Sequence, residues 1–313
     1  MTITVLRTAS SWYVQTEAGA VPIDTTATTT AELLRDRAAV DAAAAQPAGA
    51  VPVESLELLS PVTAPCRVVA QMTNYTSHVK DSGMNPETIP LTFFRKASGS
   101  INGPTDDIVK PAHVRFLDYE VEVGLVIGRD LPVGTTLEEG DLPNYIAGLV
   151  VTNDVSARDI QLPKTQFYEA KSYPTFTPVG PALVLLDADE LKRFSDLRLQ
   201  LRVNGELRQN STVAGDMIYP PLRALQELSR FQRLDTGDLL LTGTPAGTAL
   251  TAPPKPIEMI GALLPPAVKW KAFFKAQSEN AKYLHDGDIV EASIATDDHA
   301  IDLGVQRCRV RYA

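Results

Sequence analysis

The chain has 313 residues, with 38 acidic and 29 basic side chains, a formal charge of −9 and a pI near 5.0. At 44% hydrophobic and 21% charged it is too apolar for a disordered chain, and with no Lys/Arg-rich stripe it is not built around nucleic acid. Two distant cysteines, Cys66 and Cys308, exclude a disulfide framework and a thiolate zinc site.

No apolar run approaches 18 residues, and Met1 to Ala20 has no basic segment ahead of an apolar one. The expectation is a soluble, cytoplasmic protein of one or two domains. Residues 1–65 read as a small separate α/β unit. Thr2 to Leu6, Trp12 to Gln15 and Ala20 to Ile23 are short β-type runs between polar turns. Thr30 is placed to cap a helix from Ala31 through Ala45, with Leu33 and Leu34 on its apolar side. An Ala/Pro-rich linker from Gln46 to Pro65 follows.

From Cys66 onward strands outnumber helices. Asp118 to Ile127, Tyr145 to Thr152, Ala182 to Leu186 and Leu199 to Val203 are strand-like. Asn204-Gly205 signals a two-residue hairpin into Glu206 to Ser211. Pro221 to Arg230 reads as a helix, with Leu222, Leu225 and Leu228 on one side. Turns at Asp235-Thr236-Gly237 and Asp286-Gly287 lead into strands Asp238 to Thr242 and Ile289 to Ile294. Without a regular βαβ rhythm, the pattern implies an all-β or an α+β, mainly β architecture and not a doubly wound sheet.

The run Asp118-Tyr119-Glu120-Val121-Glu122-Val123 carries two acids inside an apolar strand. Alternate residues share a face, which brings the Cα atoms of Glu120 and Glu122 to about 6.6 Å. If that face is solvated, the pair needs no explanation. If it is buried, the two charges need a proton, an arginine or a divalent cation. Asp154, at the end of the next apolar strand, is placed to be a third oxygen ligand, and three carboxylates suit a hard cation such as Mg²⁺ or Mn²⁺. His78 and Asp81 are neighbours on a helix at (i, i+3), so the acid can orient the ring. Three carboxylates and one divalent cation leave one negative charge, so an anionic substrate needs a cation nearby. Lys171 and Arg158 are the candidates. Thr242-Gly243-Thr244-Pro245 offers N–H groups and hydroxyls to an oxyanion.

These segments come in one order: Asn74-Tyr75-Thr76-Ser77-His78, Glu120-Val121-Glu122, Asp154-Val155-Ser156-Ala157-Arg158-Asp159, Lys171 before Thr177-Pro178-Val179-Gly180-Pro181, and Thr242-Gly243-Thr244-Pro245. Together they resemble the fumarylacetoacetate hydrolase family over roughly residues 66–248 and 284–312. The resemblance implies a mixed β-roll catalytic domain over 66–313, a Mg²⁺ or Mn²⁺ ion on Glu120, Glu122 and Asp154, and a homodimer. It implies that His78 with Asp81 activates water and that Lys171 lies in the substrate site, with Gln161 and Lys96 lining the pocket beside Arg158 and Thr244. The family acid at position 81 is often Glu, and Asp81 is one methylene shorter. The segment Gln71-Met72-Thr73-Asn74 holds no acid, so water is expected to complete the coordination shell.

After Thr248 the chain departs from compact members. Residues 249–283 form an insertion, Pro-rich at first (Pro253, Pro254, Pro256, Pro265, Pro266). An amphipathic helix follows, with Val268, Trp270, Phe273 and Phe274 inside and Lys269, Lys271 and Lys275 outside. It either covers the pocket, packs at a subunit interface or packs on its own domain. The expected activity is metal-dependent hydrolysis of a C–C bond in a 1,3-diketone or acylpyruvate-type acid. The alternatives are decarboxylation, tautomerisation or hydration of a 2-oxo acid through the same enolate, and a structural Ca²⁺ site without catalysis. His113, His285 and His299 receive no role.

Overall fold

Nine strands form one sheet, in the order Gly19–Pro22, Trp12–Thr16, Ile3–Arg7, Leu183–Leu185, Ile146–Asn153, Val121–Ile127, Leu239–Leu241, Val68–Gln71, Phe93–Lys96. The computed structural model describes residues 2–46, 48–165, 167–253 and 255–313. Met1 at the chain start, Pro47 of the predicted linker and Pro254 of the predicted insertion lie outside the described residues.

The centre of the sheet places the site. Val121–Ile127 runs antiparallel to both Ile146–Asn153 and Leu239–Leu241, and Val68–Gln71 runs parallel to Leu239–Leu241. Three chain segments, starting at 72, 154 and 242, therefore leave the sheet beside the N-terminal end of Val121–Ile127. All seven residues of that strand are buried, because both faces of the sheet are covered. Val121, Val123, Leu125 and Ile127 face one core with Leu199, Leu201 and Ile294 of a second sheet. Val126 belongs to the other core, with Val5, Val14, Leu33 and Val150. Parity puts Glu122 on the Val126 face.

The second sheet has five strands, ordered Glu206–Thr212, Leu197–Val203, Ile289–Thr296, Asp302–Tyr312, Ile108–Lys110. The predicted hairpin is present. Asn204 and Gly205 both take positive φ, 52° and 80°, as its two-residue turn requires. The architecture is α+β and mainly β, as the sequence implies.

Ile3–Arg7, within residues 1–65, hydrogen-bonds Leu183–Leu185 and extends the central sheet. Four expectations need correction. The single helix from Ala31 to Ala45 is two, Thr30–Arg35 and Arg37–Ala45, meeting at Asp36. The cap is Thr29, whose hydroxyl accepts from the Glu32 N–H while the Glu32 carboxylate accepts back at the Thr29 N–H. Thr30 instead donates its hydroxyl to the Pro61 carbonyl. The predicted strand Asp118 to Ile127 is interrupted: Leu117–Asp118 and Val121–Ile127 are separate, with Glu120 in the link.

The fourth correction concerns the insertion, which forms two helices, Lys255–Ala262 and Pro266–Gln277. Phe274 is buried and stacks on Phe116 with ring centroids 5.4 Å apart. Trp270 and Phe273 pack partly beside it, whereas Val268 faces outward. The aromatic residues therefore anchor the helix on Phe116, and the predicted apolar side is narrower than its sequence pattern.

Candidate metal and catalytic site

Glu120, Glu122 and Asp154 converge, with one carboxylate oxygen from each within 4.8 Å of the others, and all three are buried. Glu120 sits just before the central strand and Asp154 just after its neighbour, and the Asp154 N–H donates to the Glu120 carbonyl at 2.8 Å. Asn153 Oδ1 accepts the Glu120 N–H at 2.9 Å, so backbone and side chain together fix the Glu120 turn. On Glu122, Oε2 accepts the Gly243 N–H at 2.7 Å. The Thr-Gly-Thr loop therefore does aim an N–H at an oxyanion, but the oxyanion is the protein's own carboxylate.

Three cations surround the acids. Lys171 Nζ donates to Glu120 Oε2 at 2.6 Å and also to Asp154 Oδ2. Lys96 Nζ pairs with Asp154 Oδ1 and donates to the Phe176 carbonyl at 2.8 Å. Arg158 reaches Glu120 Oε1 with Nη2 at 2.5 Å, Asp118 Oδ2 with Nε at 2.8 Å and Gln161 Oε1 with Nη1 at 2.8 Å. With Asp118 counted, four carboxylates face three cations and leave one negative charge.

Titration follows from this crowding. Burial and the neighbouring charges of Asp154 and Glu120 hold the Glu122 carboxyl well above the ordinary range. Burial also pushes Glu120 upward, but Lys171 and Arg158 overcome it and hold that carboxyl low. Lys171 keeps its proton despite burial because Asp154 and Glu120 face it. Burial pulls Lys96 below the usual lysine range, against the pull of Asp154. A hard divalent cation fits this donor set. Three carboxylates crowd one point, and the charge of Glu122 is left without a side-chain partner among the described residues. With Glu122 ionised to hold it, such an ion would bring the local charge to +1.

His78 lies near this cluster, on the short helix Thr76–Asp81. The helix is pinned from outside: Asp216 accepts the Ser77 N–H at 2.7 Å and the Ser77 hydroxyl at 2.6 Å. Asn74 donates to the Thr242 and Tyr219 carbonyls at 2.8 and 3.0 Å, which ties the Asn-Tyr motif to the Thr-Gly loop. Burial lowers the His78 pKa and keeps the ring neutral. Its Nδ1 is buried without a hydrogen-bond partner. Asp81 is exposed and makes no hydrogen bond to His78, so the predicted dyad is not assembled.

The substrate candidates divide. Arg158, Gln161, Lys96 and Lys171 form one network around the acids. The Thr244 hydroxyl is turned away, donating to the Val121 carbonyl at 2.9 Å and accepting from Gln209 Nε2 at 2.8 Å. Gln209, Asn153 and Asp118 were missed as site residues. Only Asp118 carried a signal, a polar residue opening an apolar strand. Burial pushes the thiols of Cys66 and Cys308 up to about 12, so neither supplies a thiolate.

A mainly β fold here carries a buried carboxylate triad, an adjacent histidine and a ring of lysine and arginine. The chain belongs to the fumarylacetoacetate hydrolase family: the model of its C-terminal domain matches residues 67–311. It is similar to the rat mitochondrial oxaloacetate tautomerase Fahd2a, with 36% identity over 205 residues, covering 65% of this chain and 63% of the relative's length. The fumarylacetoacetate hydrolase domain-containing protein 2 homolog of Dictyostelium discoideum is 34% identical over 215 residues, covering 66% of this chain and 68% of that protein. Among solved structures, the fumarylacetoacetate hydrolase of psychrophilic Exiguobacterium antarcticum covers 100% of both chains at 26% identity and a TM-score of 0.71. No helix among the described residues is long and apolar enough to cross a membrane.

Proposed function

We propose that this chain enolises a small 2-oxo acid, interconverting the keto and enol forms of an oxaloacetate-type dicarboxylate. The observation that carries this reading is the buried convergence of Glu120, Glu122 and Asp154 inside a ring of cations. These three residues would hold Mg²⁺ or Mn²⁺, which when bound polarises a chelating 2-oxo acid and offsets the charge of its enolate. With that ion the site carries a net positive charge, which suits a dianion. Lys171 stays protonated, and Arg158 holds Glu120 in place. Neutral His78 exchanges a proton between the carbon next to the keto group and the enol oxygen. Enolisation needs one neutral base and no activated water, and His78 without an acid partner supplies that much. The similarity to the rat tautomerase supports the same choice.

A second reading is hydrolytic cleavage of an acylpyruvate or other 1,3-diketone. The same neutral histidine and the similarity to the Exiguobacterium hydrolase favour it. Decarboxylation of oxaloacetate would use the same enolate. Homodimerisation, which the family resemblance implies, belongs to this reading too. Proton NMR of oxaloacetate and an acylpyruvate with Mg²⁺, and again after EDTA, separates these activities. Faster keto–enol exchange with the carbon skeleton intact is the expected result. Release of a carboxylic acid from the acylpyruvate would move the assignment to the hydrolase, and CO₂ from oxaloacetate to the decarboxylase.

A further inference from the structure

Asp118 is fully buried and accepts four hydrogen bonds. Oδ1 takes the N–H groups of Tyr119 at 2.8 Å and Ala249 at 2.7 Å. Oδ2 takes Arg158 Nε at 2.8 Å and the Leu250 N–H at 3.0 Å. One carboxylate thus holds both the root of the 249–283 insertion and the guanidinium that reaches Glu120. The residues before it are engaged by the end of the same insertion and by Leu284 directly after it. Phe116 stacks on Phe274 and packs against Tyr283, and the Leu117 carbonyl accepts the Leu284 N–H at 2.9 Å. The far side of the insertion closes back on its start, where Asn280 Nδ2 donates to the Ala249 carbonyl at 2.8 Å.

We infer that Asp118 is a positioning residue that couples the insertion to the acid cluster: where residues 249–250 sit determines where Arg158 aims, and so how Glu120 is held. This rests on the reading of Glu120 as a metal ligand only for its functional consequence. The chemistry of the carboxylate is specific. All four of its partners are donors, so an amide in its place must turn N–H against N–H on one side. Asp118→Asn therefore loses either the Ala249 and Tyr119 pair or the Arg158 and Leu250 pair.

The test is amide hydrogen exchange and Mn²⁺ calorimetry on full-length Asp118→Asn. Exchange at Ala249, at Leu250 and at Asp154, whose N–H is bonded to Glu120, is expected to speed up together by about fivefold to tenfold. The Mn²⁺ dissociation constant should rise by about 10–100-fold. Amides of Trp12–Thr16, near the far edge of the sheet, should not change. Faster exchange at 249–250 with none at Asp154 would overturn the coupling, as would uniform acceleration that includes Trp12–Thr16. If the wild-type chain binds no Mn²⁺, the metal reading fails, and the exchange pattern still decides the coupling. If Asp118→Asn does not fold, Phe274→Ala probes the same linkage from the insertion side. Failure of 249–250 and Asp154 to loosen together in that variant discards the proposal.

Discussion

His78 is half-buried, with its Nδ1 shut away from water, and owes its chemistry to that desolvation. A histidine in water titrates near 6.5, and desolvation lowers that value here, so the ring is a ready proton acceptor throughout the neutral range. Activity should therefore hold steady from pH 7 downward past 6.5 and fall only as pH drops through the lowered pKa. Stability should follow the same residue with a defined sign. Below pH 6.5 the unfolded chain takes up the proton first, so stability declines from there until the folded pKa is reached. A pH–rate profile of wild type, with His78→Asn as control, checks both. The variant should lose about 10²–10⁴-fold in turnover while still binding Mn²⁺. An acid limb at 6.5 or above would contradict the desolvated, neutral state.

Lys96 makes a second residue-scale case. Its ammonium has no contact with water and pairs with Asp154. Lys96→Met removes one charge of a buried pair and leaves Asp154 to Lys171 alone, at a cost of about 3–5 kcal/mol in urea unfolding. Excess Mg²⁺ should restore part of that loss, because it would neutralise the same carboxylate. If added Mg²⁺ restores nothing, Asp154 is not a ligand.

At the scale of elements, the Thr242–Pro245 loop is the sharpest example of sequence dictating geometry. Gly243 has φ +84°, and a Cβ there would stand 2.8 Å from Asn74 Cβ. Asn74 cannot step aside, since its amide holds the Thr242 and Tyr219 carbonyls and the Tyr219 N–H. Gly243→Ala should cost about 1–3 kcal/mol and weaken Mn²⁺ binding, because the displaced N–H is the one that holds Glu122. Urea unfolding and calorimetry give the two numbers, and an unchanged Mn²⁺ affinity would break the link between the loop and Glu122.

The same loop shows how far the sequence could be read. Apolar strands and the Asn-Gly hairpin are local patterns and stand where they indicate, whereas Glu120, expected inside the strand with Glu122, falls in the link before it. What escaped is long-range. Gln209 lies on an edge strand of the second sheet, and only tertiary packing brings its amide to Val121 and Thr244. Asp81 has the right spacing for a dyad, but its helix presents it to solvent. Thr29 rather than Thr30 has Glu32 three residues on, so the capping-box spacing was a local signal for the cap, and Thr30 is drawn instead to Pro61 and Thr63.

At the scale of the whole molecule, the N-terminal strands and helices share a core with one face of the central sheet. The strands extend the central sheet through Ile3–Arg7, and Val5, Val14 and Leu33 cover the same face as Val126, Val150 and Leu239. Glu122 sits at the end of that face by strand parity. A fragment of residues 66–313 should therefore expose both the unpaired edge of Leu183–Leu185 and an apolar surface. Such a fragment should bind a hydrophobic dye, aggregate on size-exclusion chromatography and lack a cooperative unfolding transition. Mn²⁺ affinity should fall with it, since water admitted beside Glu122 and Asp154 weakens every charge interaction in the cluster. A soluble fragment with a sharp transition and undiminished Mn²⁺ binding would instead make residues 1–65 an independent unit, whatever sheet they share.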